Sequence, residues 1–174
     1  MLNGSTKTKT IIGIDYSLNS PAVCISTNGG TAFSDCYFYY LTSKKKHIGK
    51  MLENVIGYEH KEWKSPIERF TNLSSWVLHI LDTLHKKQKN KHIFIEGYSY
   101  GSKGQAVFQI AENGGILKYR LQKRFICKTI VPSVVKKLAT GKGNADKQKM
   151  YEAFTKTQGV DLMKAFDQQT LNNP

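Results

Sequence analysis

Apolar positions along this chain change period several times, and each change marks an element. Residues 10–15 (TIIGID) form a short Ile-rich run, too short for a helix and fit for a buried strand. Asn19 and Pro21 interrupt it, and residues 22–26 (AVCIS) resume as a second strand. Asn28-Gly29-Gly30 is a hairpin-type turn, because these residues accept positive φ at low cost. Residues 36–41 (CYFYYL) then read as a third strand, so the first forty residues predict an antiparallel meander.

From residue 67 the period becomes helical. Ile67, Phe70, Leu73, Val77, Ile80, Leu81 and Leu84 recur every three or four positions and define one helix face. Residues 92–96 (HIFIE) are a fourth strand, followed by a glycine-rich turn over 97–104 and a second helix over 105–122. Gly114-Gly115 inside that helix points to a close backbone approach. Residues 125–131 (FICKTIV) predict a fifth strand ended by Pro132, with Ser133 capping a short helix over 134–139. A loop, TGKGNAD, leads to a last helix over 147–158. The expected fold is α/β, one domain over 1–174, with a mixed five-stranded sheet (three antiparallel strands, then two more) flanked by helices. Residues 1–9 read as a flexible polar arm, and residues 43–66, charged and irregular, as a basic loop or broken helix.

Composition narrows the function. The 174 residues carry 26 Lys+Arg against 13 Asp+Glu, a net charge of +13, while 40% are hydrophobic and 11% aromatic, too many for a disordered basic tail. Between 118 and 149 the basic residues are Lys118, Arg120, Lys123, Arg124, Lys128, Lys136, Lys137, Lys142, Lys147 and Lys149, and Asp146 is the lone acid. That concentration favours a polyanionic partner over a merely solvated face. No apolar run approaches a membrane span and no signal peptide opens the chain, so a cytoplasmic location is expected, without a membrane partner. Cys24, Cys36 and Cys127 are scattered and unpaired by motif, hence core thiols of a reducing compartment. The histidines lack metal-ligand spacing, and no P-loop, GxSxG or GxGxxG is present.

Two strands end alike. IIGI closes on Asp15 and HIFI on Glu96, each at the C-terminal end of a buried strand, where ligand sites of α/β sheets lie. A single such Asp often only caps a turn. Two partly buried acids repel and call for a proton or a cation, and Mg²⁺ or Mn²⁺ suits both carboxylates and a phosphate substrate. Lys142 and Lys147, in a loop opened by Gly141 and Gly143, are candidate phosphate ligands, the alternative being a plain interhelical loop. Tyr98 and Tyr100 are candidates to stack on an unpaired base, and packing is their equal alternative.

These residues resemble the RuvC-like Holliday-junction resolvases of the ribonuclease H-like fold, in the phage and poxvirus branch. GIDYSLNSPAV resembles the family's first strand with its metal-binding Asp, and HIFIEGY the fourth with its Glu. The distance from Glu96 to Gly115 also fits, and VPSVVKKLATGKGNADKQKM resembles the family's P-x-x-V-K…G-x-G-x-A-x-K segment. The resemblance implies a metal-dependent endonuclease acting on branched DNA as a homodimer, with no small-molecule substrate. It implies Asp15 and Glu96 as metal ligands, Lys147 at the scissile phosphate, and Lys136 facing DNA. One departure stands out: the family closes its site with an acidic pair at the start of a last helix. Beyond Lys147 this chain offers Glu152, Asp161 and Asp167 but no D-x-x-D. The expectation is a C-terminal truncation that removes two ligands. The rivals are an inactive branched-DNA-binding module of the same fold and, further off, an actin-like or sugar-kinase ATPase, for which HIFIEGYSYGSKG is a poor phosphate loop.

Overall fold

The computed structural model describes residues 9–88, 90–98 and 105–168, leaving the side chains of residues 105 and 106 aside. Seven strands form one sheet in the order β4-β5-β3-β2-β1-β6-β7. They are β1 (Thr10–Asp15), β2 (Ala22–Ser26), β3 (Cys36–Thr42), β4 (Gly49–Leu52), β5 (Val55–Glu59), β6 (Lys91–Glu96) and β7 (Ile126–Ile130). All five strands expected from the pattern are present. The strand count differs because residues 43–66 are not a basic loop or broken helix throughout: they contain β4 and β5. There β5 runs parallel to β3 with Phe38 opposite Val55, and β4 folds back antiparallel on β5. Asn54, in the connecting turn, donates to the carbonyls of Phe33 and Cys36 at 2.7 and 2.8 Å, which pins the hairpin to the meander. At Gly57 a Cβ would lie 2.0 Å from the carbonyl oxygen of His47, so glycine is required for β4 to close over β5.

Strand direction organises the molecule. β1 pairs antiparallel with β2 and β2 with β3, whereas β1–β6, β6–β7 and β3–β5 are parallel. Hence β1, β3, β5, β6 and β7 all point the same way, and their C-terminal ends share one edge of the sheet.

Among the described residues five α-helices accompany the sheet: α1 (Pro66–His79), α2 (Gln105–Gln122), α3 (Pro132–Thr140), α4 (Lys147–Gln158) and the short α5 (Leu162–Ala165). α1 opens on Ser65, whose hydroxyl accepts from the Glu68 amide, with Pro66 in the first turn where its missing N–H is no loss. Its final turn widens over Ile80–Leu84 into a π-type turn, with the His85 amide bonded to the Ile80 carbonyl. The extra residue rotates Leu84 off the buried stripe, and Ile67 at the other end is also exposed. Phe70, Leu73, Val77, Ile80 and Leu81 are buried as the period requires. α3 starts two residues earlier than expected, on Pro132, and Val131 rather than Ser133 occupies the cap position, with no side-chain bond.

Alternation divides the sheet into two faces. On one, Ile12, Ile14, Val23, Ile25, Ile93 and Ile95 pack on Val77, Ile80, Leu81, Leu117 and Leu121 of the α1–α2 layer. On the other, a smaller cluster of Tyr40, Val55 and Phe166 joins the sheet to the segment around α5. All three cysteines are free thiols, as expected. No described helix is long and apolar enough to cross a membrane.

Candidate functional site

Pairing sets the geometry of the two acids. β1 and β6 are parallel neighbours with Ile12 opposite Ile93 and Ile14 opposite Ile95, and all four isoleucines are buried in the main core. Because side chains alternate across a sheet, the next residue in each strand, Asp15 and Glu96, must emerge on the opposite face. They do so side by side, joined by a side-chain hydrogen bond. Such a bond between carboxyl groups needs a proton. Burial pushes Glu96 above the usual carboxylate range and the charge of Asp15 raises it further, while Lys136 opposes the shift. Burial also raises Asp15, against the hydrogen bond from Glu96 and the charge of Lys147. The shared hydrogen bond thus favours the neutral form of Glu96 and the ionised form of Asp15.

The two lysines reach the pair through a helical hairpin. Gly141 takes positive φ (79°) to end α3, and Gly143 lies against the Ser133 carbonyl, where a Cβ would come within 3.1 Å. These glycines thus close a tight α3–α4 connection. Asp146 caps α4 by accepting from the Lys149 amide at 2.9 Å, which sets Lys147 in its first turn. Lys136 acts on Glu96 and Lys147 on Asp15, so one cation faces each acid. Lys142 sits exposed in the loop and is not among the groups acting on either carboxylate.

A cavity of about 580 Å³ opens beside the acids, between the second sheet face and the α4–α5 segment. Phe38, Tyr40, Phe94, Tyr151, Leu162 and Phe166 are among its walls, so the acids stand at the mouth of an apolar groove. The three distal acids have other placements. Asp161 caps α5 and accepts from the Tyr151 hydroxyl. Glu152 accepts from Gln148, and Asp167 sits at positive φ (49°). Among the described residues no three His, Cys, Asp or Glu side chains converge as a metal-binding group. Two carboxylates suffice for Mg²⁺, which commonly binds through one or two protein carboxylates, waters and substrate phosphate. The residues present fit one such ion.

Tyr98 lies across α2. Its hydroxyl donates to the Ala111 carbonyl at 3.3 Å, its ring occupies the space a Cβ at Gly114 would fill, and the Lys118 ammonium stands 4.4 Å from the ring centre. That explains the helix glycine, with 43% of the tyrosine still exposed. Tyr100 lies outside the described residues.

Residue-by-residue reading missed the partners of the loop that follows Asp15. Arg69 donates to the Leu18 carbonyl at 2.9 Å and to Asn19 Oδ1 at 2.7 Å, and His60 Nε2 donates to the Asn19 carbonyl at 2.7 Å. No local signal marks these contacts, since they span about forty to fifty residues.

The acid pair makes a direct prediction. Glu96 holds its proton more tightly in the folded protein than in the unfolded chain, so its ionised form weakens folding. That penalty is absent below its ordinary value of 4.5, grows as pH rises through the raised folded value, and is complete above it. Glu96→Gln should therefore raise the Tm at neutral pH, with the gain shrinking as pH falls toward about 4.5 and absent below it. Mg²⁺ should raise the Tm of the parent protein and leave the variant nearly unmoved. Melting curves across pH check both, and a variant less stable at neutral pH would contradict this electrostatic account.

No family model matches the chain, and no curated protein matches it. Solved structures do. The Thermus thermophilus RuvC structure superposes with a TM-score of 0.56 at 12% identity, covering 87% of this chain and 81% of that one. T. thermophilus RuvC in complex with Holliday junction substrate gives 0.53 at 10% identity, covering 95% and 83%. At such identities the likeness speaks for the backbone: this chain has the ribonuclease H-like fold of RuvC, with the β4–β5 hairpin on one edge of its sheet.

Proposed function

We propose that the chain is a metal-dependent, structure-selective endonuclease that resolves Holliday junctions or other branched DNA by phosphodiester hydrolysis. The observation that carries this reading is the Asp15–Glu96 pair at adjacent strand ends, faced by Lys147 and Lys136, in a fold shared with a protein solved on a Holliday junction. Asp15 and Glu96 would hold Mg²⁺ or Mn²⁺, which when bound supplies activation of water and charge neutralisation at the phosphate. Lys147 and Lys136 offset the negative charge that gathers as the phosphate approaches two carboxylates. Lys142 and Tyr98, both exposed, would make further strand contacts. The protein would act as a homodimer, because paired nicks across a junction require two sites.

A second reading, an inactive branched-DNA-binding module, is favoured by one observation: two carboxylates, and no third among the described residues, face the site. A single assay separates the readings. A synthetic four-way junction should bind more tightly than linear duplex of equal length, and Mg²⁺ should convert bound junction into nicked arms. Binding without nicking in either Mg²⁺ or Mn²⁺ would establish the inactive module, and equal affinity for junction and duplex would sink both.

A further inference from the structure

A second cavity, of about 330 Å³, lies at the same end of the sheet on its other face, between β5, residues 59–63 and α1. That volume is within the range of small-ligand sites, roughly 300–1,000 Å³. Tyr58, Trp63 and Trp76 supply its aromatic surface, and His60, Lys61, Arg69 and His79 its basic groups, with Glu59 as the one acid. The Tyr58 and Trp76 rings meet edge to face, 6.3 Å between centres, so they form a fixed wall. The Arg69 guanidinium stands 4.5 Å from the centre of the Trp63 ring, which remains 42% exposed. Planar rings, a stacked guanidinium and neighbouring cations are the surface on which unpaired bases stack, and this stacking tolerates any base. A free cation fits poorly, because Arg69 already covers Trp63 and Lys61 adds like charge.

Position connects this cavity with the acid pair. β5 and β1 are three strand spacings apart in the sheet, about 14 Å, and both end at the same edge. The Leu18–Asn19 loop lies between, and two of the cavity's own residues, His60 and Arg69, hold it by three hydrogen bonds. A strand crossing that edge at Asp15 can thus present a base a few nucleotides away.

We propose that this cavity, shaped by Tyr58, Trp63, Trp76 and Arg69, is a binding site for one unstacked nucleobase, with its phosphate at Lys61, on a DNA strand. The proposal rests on the reading of the chain as a DNA-binding protein. It assigns the end of β5 and the segment that follows it a role in sensing unpaired strand beside a branch point.

The test uses a convenience of composition: the chain has two tryptophans, and both line this cavity. Its tryptophan fluorescence is therefore a local probe. Titration with single-stranded oligothymidylate should quench the emission, and blunt duplex at equal nucleotide concentration should not. Trp63→Ala should weaken single-strand affinity about fivefold or more, whereas Trp63→Phe, which keeps a ring, should retain it and lose much of the quenching. Unchanged emission together with unchanged affinity of Trp63→Ala would overturn the proposal while leaving DNA binding elsewhere intact. Equal quenching by free thymidine monophosphate would overturn it too, assigning the site to a nucleotide rather than a strand. Absence of any salt-sensitive DNA binding would remove the parent reading and this one together.

Discussion

Asp15→Asn should abolish Mg²⁺-dependent junction cleavage while leaving junction binding intact or slightly tighter. Loss of a residue that only orients a metal ligand costs about 10–100-fold in affinity or activity, so loss of a direct ligand should exceed 10²-fold. The structure explains why binding should survive. Asp15 stands at the end of β1, paired with Ala22 of β2 directly after the Ile14–Ile95 pair that joins β1 to β6, and neither ladder depends on its charge. Its carboxylate is moreover a negative group where a phosphate must arrive, and removing it lessens repulsion. Asn also keeps a donor for Glu96, so the pair need not share a proton and the local fold should hold. Gel-shift affinity and nicking of the same labelled junction, measured side by side, are the readout. Undiminished nicking would take Asp15 out of the site.

Ionic strength should have the other large effect. If six to ten phosphates are neutralised by the basic surface, affinity falls by about 10³–10⁵ between 50 and 200 mM salt. Individual lysines can be read from the slope. Lys136→Ala, Lys142→Ala and Lys147→Ala should each lessen the slope of log affinity against log salt by about 0.9 on duplex arms. Lys136 and Lys147 carry a second effect that Lys142 lacks, since each also lowers the proton affinity of the carboxylate it faces. Their loss should shift the onset of cleavage to higher pH, because the acids must ionise to hold the cation, while Lys142→Ala leaves that onset in place. An affinity indifferent to salt would disprove a phosphate-tracking surface.

Much of this architecture is readable from pattern alone, for a physical reason. Strands β1, β2, β3, β6 and β7 are short apolar runs bounded by turn residues, and each is a complete local signal. Asp15 and Glu96 were legible because they end two of those runs. β4 and β5 were not: GKMLENVIGYE has apolar residues on both faces, two glycines and strands of only four and five residues, so no period survives. Their stability comes from pairing with β3 and from Asn54, interactions absent from local sequence. The same holds for Arg69 and His60, whose value lies in partners across the fold. Ser133 misled because a good capping residue lost to Pro132, whose fixed φ starts the helix two positions earlier.

The parallel pairing of β1 with β6 has a consequence for how the protein reaches its native state. Their partners lie 81 residues apart in the chain, as Thr10 with Lys91, whereas the β1–β2–β3 meander joins near neighbours. Closing so long a loop demands more chain entropy than closing a hairpin, and non-local pairing slows folding. The meander can organise first, carrying Asp15, and Glu96 arrives only when β6 docks along β1. The step that completes the site is thus the same step that buries two carboxyl groups side by side, and a cation available at that moment would favour docking.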